Sequence, residues 1–183
     1  MVSVNKSART FSALGEVMQL AFVPQDFDAA VEHWTKIMGV GPFFLMEGIH
    51  LEGMKYKGEP TDAAFDLALA YWGELQIELI RPCDNHPSIY RGEYADGLAG
   101  GLHHVCLLVD DIADAYRVSE EAGATIVIEG ALGDSRVIYV DPGSGPGGLI
   151  EILQQGAGGP DLFAMIKQAG EDWDGTEPLR KLG

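Results

Sequence analysis

Two stretches of this chain share one grammar of strand, acidic cap and helix, and such duplication restricts the fold to one with two related halves. Gln19-Leu-Ala-Phe-Val-Pro-Gln-Asp26 is a short apolar run that ends in an Asp suited to cap a helix. Phe27, Ala30, Val31, Trp34, Ile37 and Met38 then recur at helical spacing, and Gly39 can end that helix in a left-handed conformation. His104-Val-Cys-Leu-Leu-Val-Asp-Asp111 leads in the same way into Ile112, Ala115, Tyr116, Ser119 and Ala122, followed by Gly123. Gln19 aligns with His104, Asp26 with Asp111 and Ala30 with Ala115, all at one offset and without a gap.

Each copy also closes alike, on Gly73-Glu-Leu-Gln-Ile-Glu78-Leu-Ile and on Gly148-Leu-Ile-Glu151-Ile-Leu, both of which read as strands. Middle strands are expected over residues 43–51 and 54–72 in the first copy and over 125–129 and 135–140 in the second. The predicted organisation is a single α+β domain of two βαβββ modules, residues 15–82 and 100–155, joined by a turn-rich connection over 83–99. A tail over 156–183 carries Leu162, Phe163, Met165 and Ile166, which predict a short helix over 161–169 packed on the domain or on a second subunit.

At 183 residues the chain suits one compact unit with a well-buried core. A formal charge of -16 excludes nucleic acid and anionic membrane surfaces as expected partners, because the summed field repels polyphosphate, and leaves a small molecule as the expected ligand. Met1 to Leu20 shows no continuous apolar segment of the kind that directs export, and no later run approaches membrane-spanning length, so a cytoplasmic location is expected. Cys83 and Cys106 are too isolated for a disulfide framework or a paired-cysteine site and are expected to be buried small hydrophobes.

A polar residue inside an apolar strand is costly unless something satisfies it, and four stand at matching strand positions: Gln19, Glu78, His104 and Glu151. Alternation puts Glu78 with Gln76 and Ile80 on one face, and Leu75, Ile77 and Leu79 on the other. If the two modules pack face to face, the four converge on one cation, which compensates the burial of two carboxylates. His103 then faces away from His104 and is expected to pack behind the ligands.

Gln19-Leu-Ala-Phe-Val with Asp26, Gly101-Leu-His-His104-Val with Asp111, and the two closing Ile-Glu strands together resemble the glyoxalase and methylmalonyl-CoA epimerase group of the vicinal-oxygen-chelate superfamily, over about residues 15–155. That resemblance implies a cupped mixed sheet around one divalent metal, with Gln19, Glu78, His104 and Glu151 as its ligands. Many members carry His where Gln19 stands, while the Gln, Glu, His, Glu set is similar to that of eukaryotic-type glyoxalase I. Three oxygens and one imidazole suit Zn, Ni, Co, Mn or Fe. The implied activity is isomerase, epimerase or lyase chemistry by proton transfer beside a carbonyl, through a metal-stabilised enolate, with Glu151 first and Glu78 second as the base. An acyl-CoA thioester and a glutathione hemithioacetal are the substrates that the two branches of the resemblance imply.

The enzymatic alternative is an extradiol-type dioxygenase, which usually needs two His and one carboxylate. The non-catalytic alternative is a small-molecule-binding protein similar to bleomycin-resistance proteins. Phe44, Met54, Tyr71 and Trp72 are candidates for a pocket lining or for the core, and Arg81, Tyr90 and Arg91 for holding an anion or for surface ion pairs. His50 and Glu52 are candidates for an auxiliary acid and base, with His86 placed in a loop. A homodimer is expected by analogy.

Overall fold

The computed structural model describes residues 10–182. Residues 1–9, which hold nearly half of the stretch read for an export signal, lie outside the described residues. The first copy runs β1 (Val17–Phe22), α1 (Phe27–Glu32), β2 (Phe43–His50), β3 (Glu52–Tyr56), β4 (Glu59–Pro60), β5 (Ala64–Trp72) and β6 (Leu75–Pro82), with α1 widening into a π-helical turn over His33–Ile37. The second runs β7 (Leu102–Leu108), α2 (Ile112–Ala122), β8 (Thr125–Leu132), β9 (Ser135–Asp141) and β10 (Leu149–Gln154). The tail adds α3 (Gly159–Glu171) and β11 (Leu179–Lys181).

The shared grammar has a shared cause. Asp26 Oδ1 accepts from the Ala29 N–H and Asp111 Oδ1 from the Ala113 N–H, both at 2.9 Å, so each strand ends in a side chain that starts the following helix. Gly123 stops α2 at φ 65°, where a residue with a Cβ is disfavoured.

All eleven strands form one mixed sheet in the order β11-β2-β5-β6-β1-β7-β10-β9-β8-β3-β4. Around the centre the order is a palindrome of copies. β1 lies parallel to β6 as β7 lies parallel to β10, each pair reached through a helical crossover, and β1 and β7 meet antiparallel at the middle. Only Leu51 separates β2, near one end of the sheet, from β3, which pairs with β8 near the other. The sheet therefore curls round on itself into a cup. Gly130 on β8 makes room for the crossing, since a Cβ there would lie 2.8 Å from Leu51 Cβ.

Both faces are buried, and alternation sorts them. Outside the cup, Phe27 and Val31 of α1 pack on Phe43, Ala68, Ile77 and Leu79, and Ala115 of α2 packs on Ile138, Val140 and Ile152. Inside lie Ile80, Phe65, Val137, Tyr139 and Leu149.

Several expectations need correction. The stretch 54–72 is not one strand, because the left-handed pair Lys57 and Gly58 folds it into the β3–β4 turn before β5 begins. The connection is less loose than its turn formers suggest: Ile89, Tyr90 and Tyr94 are buried in the inner cluster, where they plug one end of the cup. Cys106 is buried as expected, but Cys83 is exposed, its thiol directed to Asp66 Oδ1 at 3.1 Å. The tail helix is longer than predicted and packs on the domain itself, with Ile166 against Phe44 and Leu69. β11 carried no recognisable sequence signal. Among the described residues, no helix is long and apolar enough to cross a membrane.

Candidate metal centre

The four central strands each supply one of the four polar residues: β6 Glu78, β1 Gln19, β7 His104 and β10 Glu151. Their register explains why they can meet. Glu78, Ala21 and His104 form one row across the sheet, and Gln19, Cys106 and Glu151 form the next. A small side chain thus stands between the members of each row, and Ala21 and Cys106 are themselves equivalent positions of the repeat. Larger residues there would fill the space the donors share.

His104 Nε2 lies 3.1 Å from Glu151 Oε2 and 3.4 Å from Glu78 Oε2, and the three potential donors fall within 4.8 Å of one another. His104 is wholly buried, and Gln19, Glu78 and Glu151 are nearly so. The Gln19 amide is oriented from behind. Its Nε2 donates to Gln76 Oε1 at 2.6 Å, and Gln76 Nε2 donates in turn to the Tyr71 hydroxyl at 3.2 Å. Gln19 Oε1 is left without a hydrogen-bond partner, as is Glu78 Oε2. Buried acceptors without donors are costly, and a cation is the species that satisfies acceptors alone. The residues present therefore fit a divalent metal: one imidazole and two carboxylates lie together, and Gln19, which lines the same cavity as the two carboxylates, would add a third oxygen.

His103 decides which nitrogen His104 presents. Its Nε2 lies 2.8 Å from the carbonyl oxygen of Ile89, which can only accept, so that nitrogen carries the proton. Burial, reinforced by the charge on His104, depresses His103 to about 3 and keeps the ring neutral. Its bare Nδ1 then accepts from His104 Nδ1–H across 2.8 Å, leaving His104 Nε2 toward the carboxylates. His103 thus lies behind His104, held between that ring and the Ile89 carbonyl.

Burial by itself would favour neutral His104, but its hydrogen bond to Glu151 and its ion pairing with Glu78 prevail and raise it to about 9. Glu78 is pushed up by burial, against the pull of His104 and with the help of the Glu151 charge. The Cys106 thiol is driven well above its usual range by burial and by both carboxylates, so it stays protonated and leaves the ligand role to its neighbours.

The site opens into a cavity of about 150 Å³ whose apolar wall includes Met46, Leu67, Leu69, Val137, Leu153 and Phe163. Sequence reasoning missed these residues, although alternation carried a signal: Leu153 follows Glu151 by two positions, and Leu69 faces Glu78 across the β5–β6 ladder. The four residues proposed as lining lie elsewhere. Phe44 packs beneath α3, Met54 belongs to the inner core, Tyr71 holds Gln76, and Trp72 is half exposed against Trp34. His50 and Glu52 are exposed and do not reach the cavity.

Arg81 pairs with Asp66 through Nε at 3.0 Å and Nη2 at 2.5 Å and lies over the Phe27 ring, while Arg91 Nε donates to the Asp84 carbonyl at 2.6 Å. With Tyr90 these two arginines border a separate cavity of about 470 Å³. His86 is exposed beside Asp84.

The sequence profile of the Glyoxalase/Bleomycin resistance protein/Dioxygenase superfamily matches residues 18–139. The chain belongs to this superfamily. The matched span includes Gln19, Glu78 and His104 but ends before Glu151, so the fourth position rests on the fold. No curated protein sequence matches the chain. Among solved structures, a hypothetical protein from Bacillus halodurans C-125 is similar with a TM-score of 0.54 and 18% identity, over 77% of this chain and 94% of that one. A variant of methylmalonyl-CoA epimerase from Streptomyces coelicolor, in complex with 2-nitronate-propionyl-CoA, gives 0.52 and 22% over 79% and 96%. Methylmalonyl-CoA epimerase from Mycobacterium tuberculosis gives 0.50 and 21% over 81% and 91%. At such identities the likeness is one of fold.

Proposed function

We propose that this superfamily member is a divalent-metal-dependent enzyme that moves a proton beside a carbonyl of a small oxygenated substrate, in isomerase, epimerase or lyase chemistry. The observation that carries this reading is the meeting of one imidazole and two carboxylates beside an apolar cavity that Gln19, with its orphaned amide oxygen, also lines. Gln19, Glu78, His104 and Glu151 hold the ion. When bound, the ion supplies positive charge that orients substrate oxygens and lowers the cost of the negative charge released by C–H cleavage. His103 keeps the His104 ring in place, Gln76 keeps the Gln19 oxygen turned inward, and the leucine-rich wall excludes water from the reacting carbon.

Glu151 is the proton carrier and Glu78 the second choice. The cavity extends along the strand of Glu151, where Leu153 also lines it, whereas Gln76 and Ile80 beside Glu78 do not. The dioxygenase alternative fits less well, because a single imidazole meets the two carboxylates where ferrous oxygenases usually employ two. A sequestering protein has no need of four converging donors.

The test is elemental analysis of protein purified without added metal, followed by substrate screening in D₂O against 2-hydroxy acids, 2-oxo acids, thioesters and catechols. The expected result is about one divalent ion per chain, abolished in His104→Ala, with metal-dependent deuterium uptake beside a carbonyl. Glu151→Gln should slow that uptake by about 10²–10⁴-fold. Undiminished metal in both variants would refute the ligand set. Oxygen consumption with catechols would favour the dioxygenase, and tight binding without turnover the sequestering protein.

A further inference from the structure

Among the described residues, three buried side-chain polar atoms lack a hydrogen-bond partner: Gln19 Oε1, Glu78 Oε2 and Gln155 Nε2. All three residues line the same cavity. The first two are acceptors at the metal centre. The third is a donor, which no cation can satisfy, and an unsatisfied buried N–H₂ is as costly as an unsatisfied carbonyl.

Gln155 follows Glu151 and Leu153 along β10 and beyond its end, and all three line the cavity as alternate positions of one extended segment. Four residues of extended chain span about 13 Å, so the free donor belongs to the end of the cavity away from the metal. Its side chain is confined: a Cβ on Gly159, in the first turn of α3, would come within 3.1 Å of Gln155 Nε2. Leu162 and Phe163 of α3 complete the wall there. No Lys or Arg is among the residues that line the cavity, and the chain carries a formal charge of -16, so nothing at this end would compensate a second anionic group. The volume of about 150 Å³ is that of a cavity able to hold a benzene-sized molecule.

Resting on the metal-centre reading, we propose that Gln155 is the substrate-recognising residue of this site, and that the substrate is a small apolar-bodied molecule. One end of it carries oxygens for the metal, and the other an uncharged acceptor, a carbonyl, hydroxyl or ether oxygen, that receives the Gln155 amide proton. The apolar wall between the two sites contacts the body of the ligand, and α3 sets its length.

The proposal is tested with chelating probes on zinc-loaded protein, without reference to turnover. Hydroxamates bind a metal through two oxygens, and 4-oxopentano-, 5-oxohexano- and 6-oxoheptanohydroxamate each differ from the plain alkyl probe of equal chain length by one carbonyl. The oxo probe of at least one length should bind about threefold to tenfold more tightly than its alkyl partner. Gln155→Leu should erase that preference while leaving the alkyl probe's affinity unchanged, and Gln155→Glu, which keeps the shape but replaces the donor, should erase it too. Succinohydroxamate, with a carboxylate at the far end, should bind most weakly of all. A preference of equal size in the wild type and both variants, no preference at any length, or tightest binding of the anionic probe would overturn the assignment to Gln155. Failure of every alkyl probe to bind the zinc-loaded wild type would instead remove the metal-centre reading, and this proposal with it.

Discussion

The two halves of the sheet are copies in strand order but not in chemistry. The first contributes an amide and a carboxylate, Gln19 and Glu78; the second contributes an imidazole and a carboxylate, His104 and Glu151. The carboxylates occupy like places, while the opening residues are supported by different neighbours: Gln76 turns the Gln19 amide by one hydrogen bond, and His103 sets the proton position of His104. Duplication places side chains at equivalent points; what stands behind each one sets its charge and donor state. The second half therefore holds the only opening residue whose charge can change with pH near neutrality.

Four outcomes would break or sharpen that asymmetry. The largest contrast is in metal affinity. His104→Ala removes the nitrogen donor that would bond the ion and should weaken zinc binding by at least about a thousandfold, whereas Gln19→Leu removes a neutral dipole and should cost about tenfold. Competition titration with a chromogenic chelator measures both, and equal losses would show the halves to be interchangeable.

Next is pH. His104 is held at about 9 in the metal-free site, above its ordinary 6.5, so at pH 7 an incoming ion displaces a proton from the ligand nitrogen. Zinc affinity should rise by about fiftyfold between pH 7 and 9 and level off above about pH 10, with about one proton released per ion at pH 7 in calorimetry across buffers of different ionisation enthalpy. The same linkage has the opposite sign for the metal-free fold. A raised histidine contributes stability that is fully present below about 6.5 and lost as pH rises through about 9, so metal-free melting temperatures should fall across that window. A metal-free stability that does not change over that range would contradict the imidazolium held between two acids.

A smaller effect separates support from ligation. His103→Leu should reduce zinc affinity by about 10–100-fold, with substantial recovery in His103→Gln, whose amide can still donate to Ile89 and accept from His104. Nitrogen-15 shifts of the metal-free wild type should place the His103 proton on Nε2. A proton on Nδ1 would remove the support argument.

The smallest outcome concerns what the halves have in common. Asp26→Ala and Asp111→Ala each delete one helix cap and should each cost about 1 kcal/mol in urea unfolding, with metal content unaltered. A large difference between them would mean that the common helix start is common in sequence only.

Much of this architecture was legible because the repeat is written in short-range rules. A cap, a helical spacing and a strand period survive in any context, so the helices, the central strands and the Glu78, His104 and Glu151 that meet there could be located from residue order. Three features escaped. The split at Lys57 and Gly58 depends on a left-handed residue that is not glycine, which sequence preference disfavours. The wall of the cavity depends on β5, whose Leu67 and Leu69 read as ordinary core until the ladder with β6 sets them opposite Ile80 and Glu78. Gln155 was passed over because it stands just past the closing strand of the second copy beside glycines, and only the approach of α3 shows that its amide is enclosed.

The one-residue link at Leu51 has a consequence for how the molecule meets other copies of itself. By carrying β3 and β4 across to cover β8, and with β11 laid against β2, the chain terminates its sheet in strands of only two and three residues, the former containing Pro60, which has no backbone N–H to offer. At those two strands a neighbouring chain finds few rungs on which to add a strand of its own, which disfavours edge-to-edge pairing there.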